Sequence, residues 1–447
     1  MRLKDFSKSI IRPEEEINKN NLQKIANVKI DDLSFEENQN LLIFPHCLGK
    51  YGDKIGSSSI LSLHENMIIT NSIMGFVGVN DGVNNTQLTI ASRFENKKEN
   101  DFFLHYMLQK VFSINLFDLK HSSDPHSIFD FLLYLFPYYL NKALRHGLFK
   151  NYQKREYNDA NVRGAIDVNR HIRMNTPFSG KIAYKTREHV YDNHVTQLIR
   201  HTIEFINQHP FAGDILQNSL ETKDNVSQII HTTPTYDRNK RTTIINQNIK
   251  PFHHPYYFEY KNLQKICLQI LRYEQLKFGE KEDEIYGILF DGAWLWEEYL
   301  AIVLQKEFKH YIQKENKQYL FEKKGENIQQ IVPDFLSHDK KIVADAKYIP
   351  LEKQEEYEEN SERATNIYYK TIMYMYRFNC NTGFLIFPHS NKFDDEHYDI
   401  IGTKGKLVKL GLTIPQEDMS FMKFKEEIAK NEQDLLRKIE NLITNID

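Results

Sequence analysis

The stretch of sequence that decides the fold is IQQIVPDFLSHDKKIVADAKYI, residues 328–349. Two apolar runs, 328–336 and 341–349, flank the polar tetrapeptide Ser-His-Asp-Lys, and this pattern predicts two strands joined by a turn. Side chains alternate along the second run, so Asp345 and Lys347 point to the same face. An acid and a base therefore lie side by side on a strand that is otherwise small and apolar.

A second carboxylate comes just before the turn. The first strand ends in Pro333-Asp334, which brings Asp334 to the end of the hairpin where Asp345 lies. Neighbouring carboxylates repel unless a cation lies between them, and Mg²⁺ prefers oxygen ligands and retains waters that can attack a phosphodiester. Lys347 would orient or deprotonate that water, or stabilise the charge that develops on phosphorus. An isolated Asp-x-Lys fits a surface salt bridge equally well, but the ordered combination predicts a Mg²⁺-dependent nuclease site.

Helices and strands surround this hairpin in the sequence. Residues 261–275 predict a helix, Asp291 is placed to cap a second helix, and residues 363–378 predict a third. A buried strand, GFLIF, and a charged helix in the last 30 residues follow. A central sheet with helices on both sides is the architecture that this order favours.

The N-terminal part of the chain has a different pattern. Residues 41–94 contain short apolar runs broken by Gly, Asn and Asp, whereas residues 101–150 look helical, with Pro137 expected to kink or divide the second helix. The sequence therefore predicts an α+β or α/β multidomain protein, with a β-rich and helical N-terminal domain and an α/β core. The predicted domains are 1–155 (N-terminal), 156–275 (a mixed connecting region) and 276–447 (nuclease).

Composition limits the possible functions. A chain of 447 residues is longer than one hydrophobic core usually organises, so more than one domain is expected. Its net charge of −3 argues against a protein that holds DNA alone through many phosphate contacts. No apolar run approaches the roughly 18 residues of a membrane span, and the N-terminus lacks an apolar signal core. The three isolated cysteines form no disulfide framework. We therefore expect a cytoplasmic protein without a membrane partner.

Several motifs together resemble the McrC subunit of McrBC-type, modification-dependent restriction systems, whose core is a PD-(D/E)xK nuclease. The resemblance extends over most of residues 130–390. Its motifs are Arg145-His146-Gly147-Leu148 followed by Tyr152, Val162-Arg163-Gly164-Ala165-Ile166-Asp167, Asp192-Asn193, Leu289-Phe290-Asp291, Leu295-Trp296-Glu297-Glu298-Tyr299, Pro333-Asp334 and Asp345-Ala346-Lys347-Tyr348.

The resemblance implies roles for individual residues. Asp334 and Asp345 match the acids that bind the metal, and Lys347 matches the catalytic lysine. Glu297 matches the helix acid that completes the metal shell, although Glu298 is adjacent and a solvent-facing position for Glu297 is the alternative. Related nucleases often carry Q-x-x-x-Y after the site, whereas this chain has Lys370 in place of the glutamine. That departure leaves the role of Lys370 open.

The resemblance also implies partners. A separate AAA+ GTPase, McrB-like, would read methylated double-stranded DNA and translocate, while this chain cuts and stimulates the GTPase. The chain has no G-x-x-x-x-G-K-[ST] loop, which agrees with a motor on another subunit. Residues 1–155 are the predicted docking region for that partner, with a small barrel that only covers the nuclease core as the alternative.

Two other functions remain open at this point. One is a self-sufficient PD-(D/E)xK nuclease of DNA repair or of another phage defence. The other is a non-catalytic regulator in which the nuclease fold only holds a partner. The intact set of Asp334, Asp345 and Lys347 argues against the regulator, because a structural role would not require those three residues.

Overall fold

The computed structural model of the chain describes residues 1–10, 19–33, 41–45, 55–82, 85–96, 101–112, 125–209, 215–217, 219–272, 284–310, 316–349, 361–391 and 393–444. The chain divides into two compact units, one from Met1–Ile128 together with Gly279–Asp447 and the other from Phe129–Phe278. No helix of the described residues is long and apolar enough to cross a membrane.

The secondary structure of the described residues is as follows. The strands are β1 (Arg2–Lys4), β2 (Lys8–Ile10), β3 (Leu41–Phe44), β4 (Leu61–His64), β5 (Met67–Thr70), β6 (Ile73–Asn80), β7 (Asn85–Ala91), β8 (Asn151–Asp159), β9 (Ala165–Ile166), β10 (Ile182–Val190), β11 (Glu284–Asp291), β12 (Phe308–His310), β13 (Gln318–Lys323), β14 (Glu326–Ile331), β15 (Phe335–Ser337), β16 (Ile342–Ala346), β17 (Thr382–His389), β18 (Glu396–Asp399) and β19 (Lys406–Thr413). The helices are α1 (Lys19–Gln23), α2 (Phe102–Phe112), α3 (Pro125–Leu144), α4 (Val168–Met174), α5 (His194–Gln208), α6 (Leu220–Thr232), α7 (Arg241–Gln247), α8 (Tyr260–Leu271), α9 (Gly292–Val303), α10 (Ser361–Phe378) and α11 (Phe421–Thr444).

The first unit contains a five-stranded sheet in the order β1-β7-β6-β11-β3. Strand β11 is almost two hundred positions beyond β7 in the sequence, yet it pairs antiparallel with β6 and parallel with β3. The N-terminal strands therefore share one sheet, and one apolar core, with a strand that leads directly into α9. The predicted boundary near 275 lies close to the end of the second unit at Phe278, whereas the one near 155 lies beyond its start at Phe129. The predicted N-terminal and nuclease domains belong to one unit, because β11 pairs with the N-terminal strands β6 and β3.

Close packing of β6 on β11 depends on two glycines. Gly75 and Gly287 have positive φ angles of 129° and 150°. A Cβ atom on Gly75 would lie 2.2 Å from the carbonyl oxygen of Ile288, and one on Gly287 would lie 2.2 Å from that of Phe76. Each strand therefore needs glycine where the other strand's backbone passes.

The same unit contains a six-stranded sheet in the order β12-β15-β16-β17-β19-β18. Strands β16, β17 and β19 are parallel neighbours, and β15 and β16 form the predicted antiparallel hairpin. The predicted strand over 328–336 is divided, because β14 pairs with β13 and ends before Pro333, which has no backbone N–H to continue a ladder. Strand β15 begins only after Asp334.

Helices pack on this sheet as the apolar pattern predicts. Asp291 caps α9, its carboxylate accepting a hydrogen bond from the Ala293 N–H at 3.0 Å. Helix α10 contributes Tyr374 and Met375 to a core cluster with Val343 of β16. Burial on both faces explains why every residue of β17 is buried.

The second unit combines the sheet β8-β10-β9 with helices α4 to α8 and most of α3. Helix α5 begins with a capping box in which Asn193 accepts hydrogen bonds from the Val195 and Thr196 N–H groups. Helix α3 continues through Pro137, so the division expected there does not occur.

We predict that Gly287→Ala will lower the free energy of unfolding by about 2 kcal/mol or more, because the new methyl group meets the Phe76 carbonyl and the φ angle suits only glycine. Urea denaturation of the full-length chain would measure the change. Gly325→Asn is the matched control, since Gly325 has φ +80° and open space around it. A cost for Gly287→Ala no larger than that of the control would contradict the role given to β11.

Candidate active site

Asp345 lies at the centre of the candidate site. It is the penultimate residue of β16 and is fully buried, with 0% exposure. One carboxylate oxygen forms a close ion pair with the Lys347 ammonium, and the other lies 3.8 Å from the Lys370 Nζ. Neither oxygen accepts a hydrogen bond of regular geometry from the described residues. A buried carboxylate neutralised by ammonium groups is suited to exchange them for another cation.

Asp334 lies opposite Asp345 across the hairpin. The antiparallel register pairs Phe335 with Ala344, so Asp334, which precedes Phe335, faces Asp345, which follows Ala344. The Ala346 N–H donates a hydrogen bond of 2.8 Å to Asp334 Oδ2, which fixes the carboxylate at the end of the strand. The sequence prediction that the two acids meet is therefore consistent with the geometry.

The two carboxyl groups have opposite pKa shifts. Burial, the Asp345 carboxylate and then Glu297 raise the pKa of Asp334 well above its usual value. Burial alone would raise the pKa of Asp345 as well, but Lys347 and Lys370 outweigh it, and the pKa of Asp345 is lowered. One acid is thus held ionised while its neighbour retains a proton more readily, which is the usual result when two carboxylates share a buried site without a metal.

Lys347 follows β16 directly and remains tied to the sheet. Its backbone N–H donates to the Ile386 carbonyl at 2.9 Å. The same carbonyl accepts a hydrogen bond of 3.2 Å from the indole Nε1 of Trp296, a fully buried residue of α9. Trp296 therefore fixes α9 against β17, the strand to which the Lys347 backbone is also bonded, and brings the next residue, Glu297, to the site.

Of the two adjacent acids on α9, Glu297 is the one whose charge acts on the carboxylate pair. It is half-buried, its Oε1 lies 3.4 Å from His310 Nε2, and its charge contributes to the raised pKa of Asp334. Glu298 instead accepts a hydrogen bond from the Trp294 indole at 3.2 Å. His310 belongs to the three-residue strand β12, and no sequence signal pointed to it, because only the pairing of β12 with β15 brings it near.

Tyr348 connects the site to the N-terminal strands of the same unit. Its buried ring lies beneath the Arg93 guanidinium, whose carbon is 4.4 Å from the ring centroid. Arg93 also pairs with Asp5 at 3.2 Å, and burial raises the pKa of Asp5 to about 6. The residue after Lys347 is thus held by side chains from the start of the chain.

The acidic side chains of the site supply oxygen donors of the kind that divalent metals prefer. Among the described residues, no group of three His, Cys, Asp or Glu side chains is already arranged around a metal position. The donor chemistry nevertheless fits, since Asp345 presents buried oxygens without regular hydrogen bonds and Asp334 and Glu297 lie within electrostatic reach. Asp334, Asp345 and Glu297 are the residues that would hold the ion.

Family motifs in the second unit have structural roles. A Cβ on Gly164 would lie 2.2 Å from the Lys185 carbonyl oxygen, so glycine is required there. Asp167 caps α4 through the Arg170 N–H, and Asn193 caps α5. These motif residues build the second unit and are not part of the carboxylate site.

Fold and site together define a mixed α+β protein with a buried carboxylate–lysine site at the end of a central strand. A family model for the McrBC 5-methylcytosine restriction system component matches residues 68–388, more than half of the chain. The chain belongs to this family and is an McrBC restriction system component, which confirms the resemblance found in the motifs.

Solved structures are also similar to this chain. It matches a chain in the Thermococcus gammatolerans structure of McrB AAA+ hexamers with bound McrC, with 15% identity, a TM-score of 0.52, and 98% of this chain and 99% of that chain covered. A cryo-EM structure of the Thermococcus gammatolerans McrBC complex matches at 13% identity and a TM-score of 0.33, covering 68% of this chain and 87% of that chain. No curated protein matches the chain. At such identities the first likeness concerns the fold.

Asp334 and Asp339 belong to the same hairpin, and their pKa values are shifted in opposite directions. Asp→Asn substitutions at the two positions should therefore have opposite effects on stability. A buried acid with a raised pKa lowers the free energy of unfolding once the pH is high enough to ionise it. In the presence of a chelator, Asp334→Asn should therefore be more stable than the wild type by about 1 kcal/mol or more near pH 8. The gap should shrink toward pH 5. Urea denaturation between about pH 5 and pH 8 would measure it.

Asp339, at the turn of the same hairpin, is the matched control. Partial burial raises the pKa of Asp339, but hydrogen bonds from the Ser337 hydroxyl and the Lys341 N–H outweigh it, so the pKa is lowered. Asp339→Asn should therefore reduce stability at neutral pH and lose this effect in acid. A loss of stability in Asp334→Asn that grows with pH would contradict the description of the carboxylate pair.

Proposed function

We propose that this chain is the Mg²⁺-dependent DNA endonuclease subunit of a modification-dependent restriction system. The observation that carries the proposal is the buried Asp334–Asp345 pair with Lys347 beside it at one strand end. A PD-(D/E)xK nuclease core uses this combination of residue types in this order. The reaction is hydrolysis of phosphodiester bonds in double-stranded DNA, in the cytoplasm, where a restriction system meets foreign DNA.

Each residue has a proposed part in that reaction. Mg²⁺, when bound, supplies Lewis acidity and an activated water. Asp334 and Asp345 hold the ion from the hairpin, and Glu297 from α9 completes the acidic set. Lys347 orients or deprotonates the attacking water, or stabilises the charge that develops on the phosphate. Trp296 and Tyr348 are positioning residues, because they fix the helix and the strand end that carry Glu297 and Lys347.

The proposed partner is a separate AAA+ GTPase. A solved structure with the same fold comes from McrB AAA+ hexamers with bound McrC, and the net charge of −3 favours delegated DNA recognition. The N-terminal residues 1–155 stay the proposed docking region. Several segments of this region, residues 83–84 among them, lie outside the described residues. A fragment of 1–155 would lack β11, so docking is better tested with substitutions in the full-length chain.

We predict that Asp345→Ala and Lys347→Ala each lower the rate of DNA cleavage by about a hundredfold or more, because each removes a charged group at the reacting phosphate. The assay combines the full-length chain with its GTPase partner, GTP, Mg²⁺ and methylated duplex DNA. Circular dichroism and co-purification with the partner serve as controls for folding and docking. Cleavage near the wild-type rate in either variant would overturn the site.

We also predict that the purified chain neither binds nor hydrolyses GTP or ATP on its own, because its sequence has no glycine-rich phosphate loop. Equilibrium binding of a fluorescent nucleotide and a phosphate-release assay would measure this. Turnover that follows the chain through purification, free of partner, would contradict a separate motor. Efficient DNA cleavage by the chain alone would instead favour a self-sufficient nuclease.

A further inference from the structure

Lys370 is the charged residue at the site for which the proposed function has no role. It lies on α10, whereas Asp345 and Lys347 come from β16 and the residues after it. The Lys370 Nζ is 3.8 Å from Asp345 Oδ1, and the Lys347 ammonium contacts Oδ2. Each oxygen of one buried carboxylate therefore faces an ammonium group of its own, from a different element of the fold.

The two lysines differ in exposure. The Lys370 side chain is 37% exposed and that of Lys347 is 17% exposed, so Lys370 is the one that opens toward solvent. Its ammonium also lies against an aromatic ring, because Nζ is 5.5 Å from the ring centroid of Tyr374, one helical turn later. Tyr374 is only 4% exposed and packs in the core cluster with Val343. The ammonium is thus presented at the solvent edge of the carboxylate pair.

A divalent cation and Lys370 compete for the same carboxylate. Cations held at adjacent oxygens repel each other strongly where solvent is largely excluded. When a divalent ion binds Asp345, we expect Lys370, the more exposed of the two lysines, to leave the carboxylate. Its ammonium then needs another anion. The backbone of DNA brings phosphate oxygens to that edge, and lysine is well suited to bind them.

We infer that Lys370 is a phosphate-binding residue that contacts a non-bridging oxygen of the DNA backbone at the cleavage site, and that in the DNA-free protein its ammonium rests on Asp345. The inference rests on the proposed function and goes beyond it. It gives Lys370 opposite effects on two ligands, since the same charge opposes the divalent ion and favours the DNA. A residue that only supported the fold would affect both ligands in the same direction.

The test uses the full-length chain and the variants Lys370→Met, Lys370→Arg and Lys404→Met. Calorimetric titration with Mg²⁺ alone measures metal affinity. Fluorescence anisotropy of a labelled duplex, with Ca²⁺ in place of Mg²⁺, measures DNA affinity as a function of salt. Lys404 is an exposed residue before β19, at the end of the sheet away from Asp345, so its substitution removes one charge without touching the site.

Lys370→Met should bind Mg²⁺ about threefold more tightly or better. It should bind DNA about tenfold more weakly, with the slope of log Kd against log salt reduced by about 0.9, the value for one lost phosphate contact. Lys370→Arg should retain DNA affinity and slope, and Lys404→Met should match the wild type. If Lys370→Met does not fold, Lys370→Gln tests the same loss of charge.

Weaker binding of both ligands, or no change in either, would overturn the inference while leaving the nuclease assignment in place. A wild-type chain that binds neither Mg²⁺ nor DNA would overturn the proposed function together with it.

Discussion

Burial of the Asp345 carboxylate at the end of a central strand is the constraint on which the arrangement of the site depends. A carboxylate without exposed surface must be neutralised, and here two lysines from different elements do so. The fold then places a second acid, Asp334, directly across the hairpin. Such a cluster costs stability that an apolar pair of the same size would not. Its retention at the end of an otherwise apolar strand is the physical argument for a ligand.

The first unit ties that site to both ends of the chain. Strand β11 lies inside the N-terminal sheet and continues directly into the cap of α9, the helix that carries Glu297. On the other side of the site, Arg93 packs on Tyr348, the residue after Lys347. The N-terminal strands are therefore part of the structure that positions the acids and the lysine. A partner that binds those strands would therefore contact the elements that hold the acids and the lysine in place.

Local patterns predicted much of this structure. The alternation of the Asp345 strand, the capping by Asp291 and the charged helix α11 each depend on residues close in sequence. The insertion of β11 between β6 and β3 was not predictable in the same way, because strand pairing across two hundred residues leaves no periodic signal in either segment. The predicted domain boundaries rest on local composition, which carries no information on this pairing.

The site shows the same division between local and long-range information. Asp334, Asp345 and Lys347 could be grouped because one hairpin carries all three, and their order along the chain fixes their relation. Lys370 could be noted only as an unexpected residue type, and His310 gave no signal at all. Both reach the site through packing, Lys370 from α10 and His310 from the pairing of β12 with β15. Tertiary contacts of this kind depend on the whole fold.

The net charge of the chain bears on how the site would bind DNA. Nonspecific DNA affinity grows with the number of phosphates that a protein neutralises, and a net charge of −3 gives this chain no overall attraction for DNA. Cations at the carboxylate pair are therefore not surplus positive charge on a basic surface. They face the Asp345 carboxylate inside the protein, and if Lys370 has the inferred role, its ammonium becomes available to phosphate when a divalent ion takes its place. In such a chain, metal and DNA would bind in a coupled way.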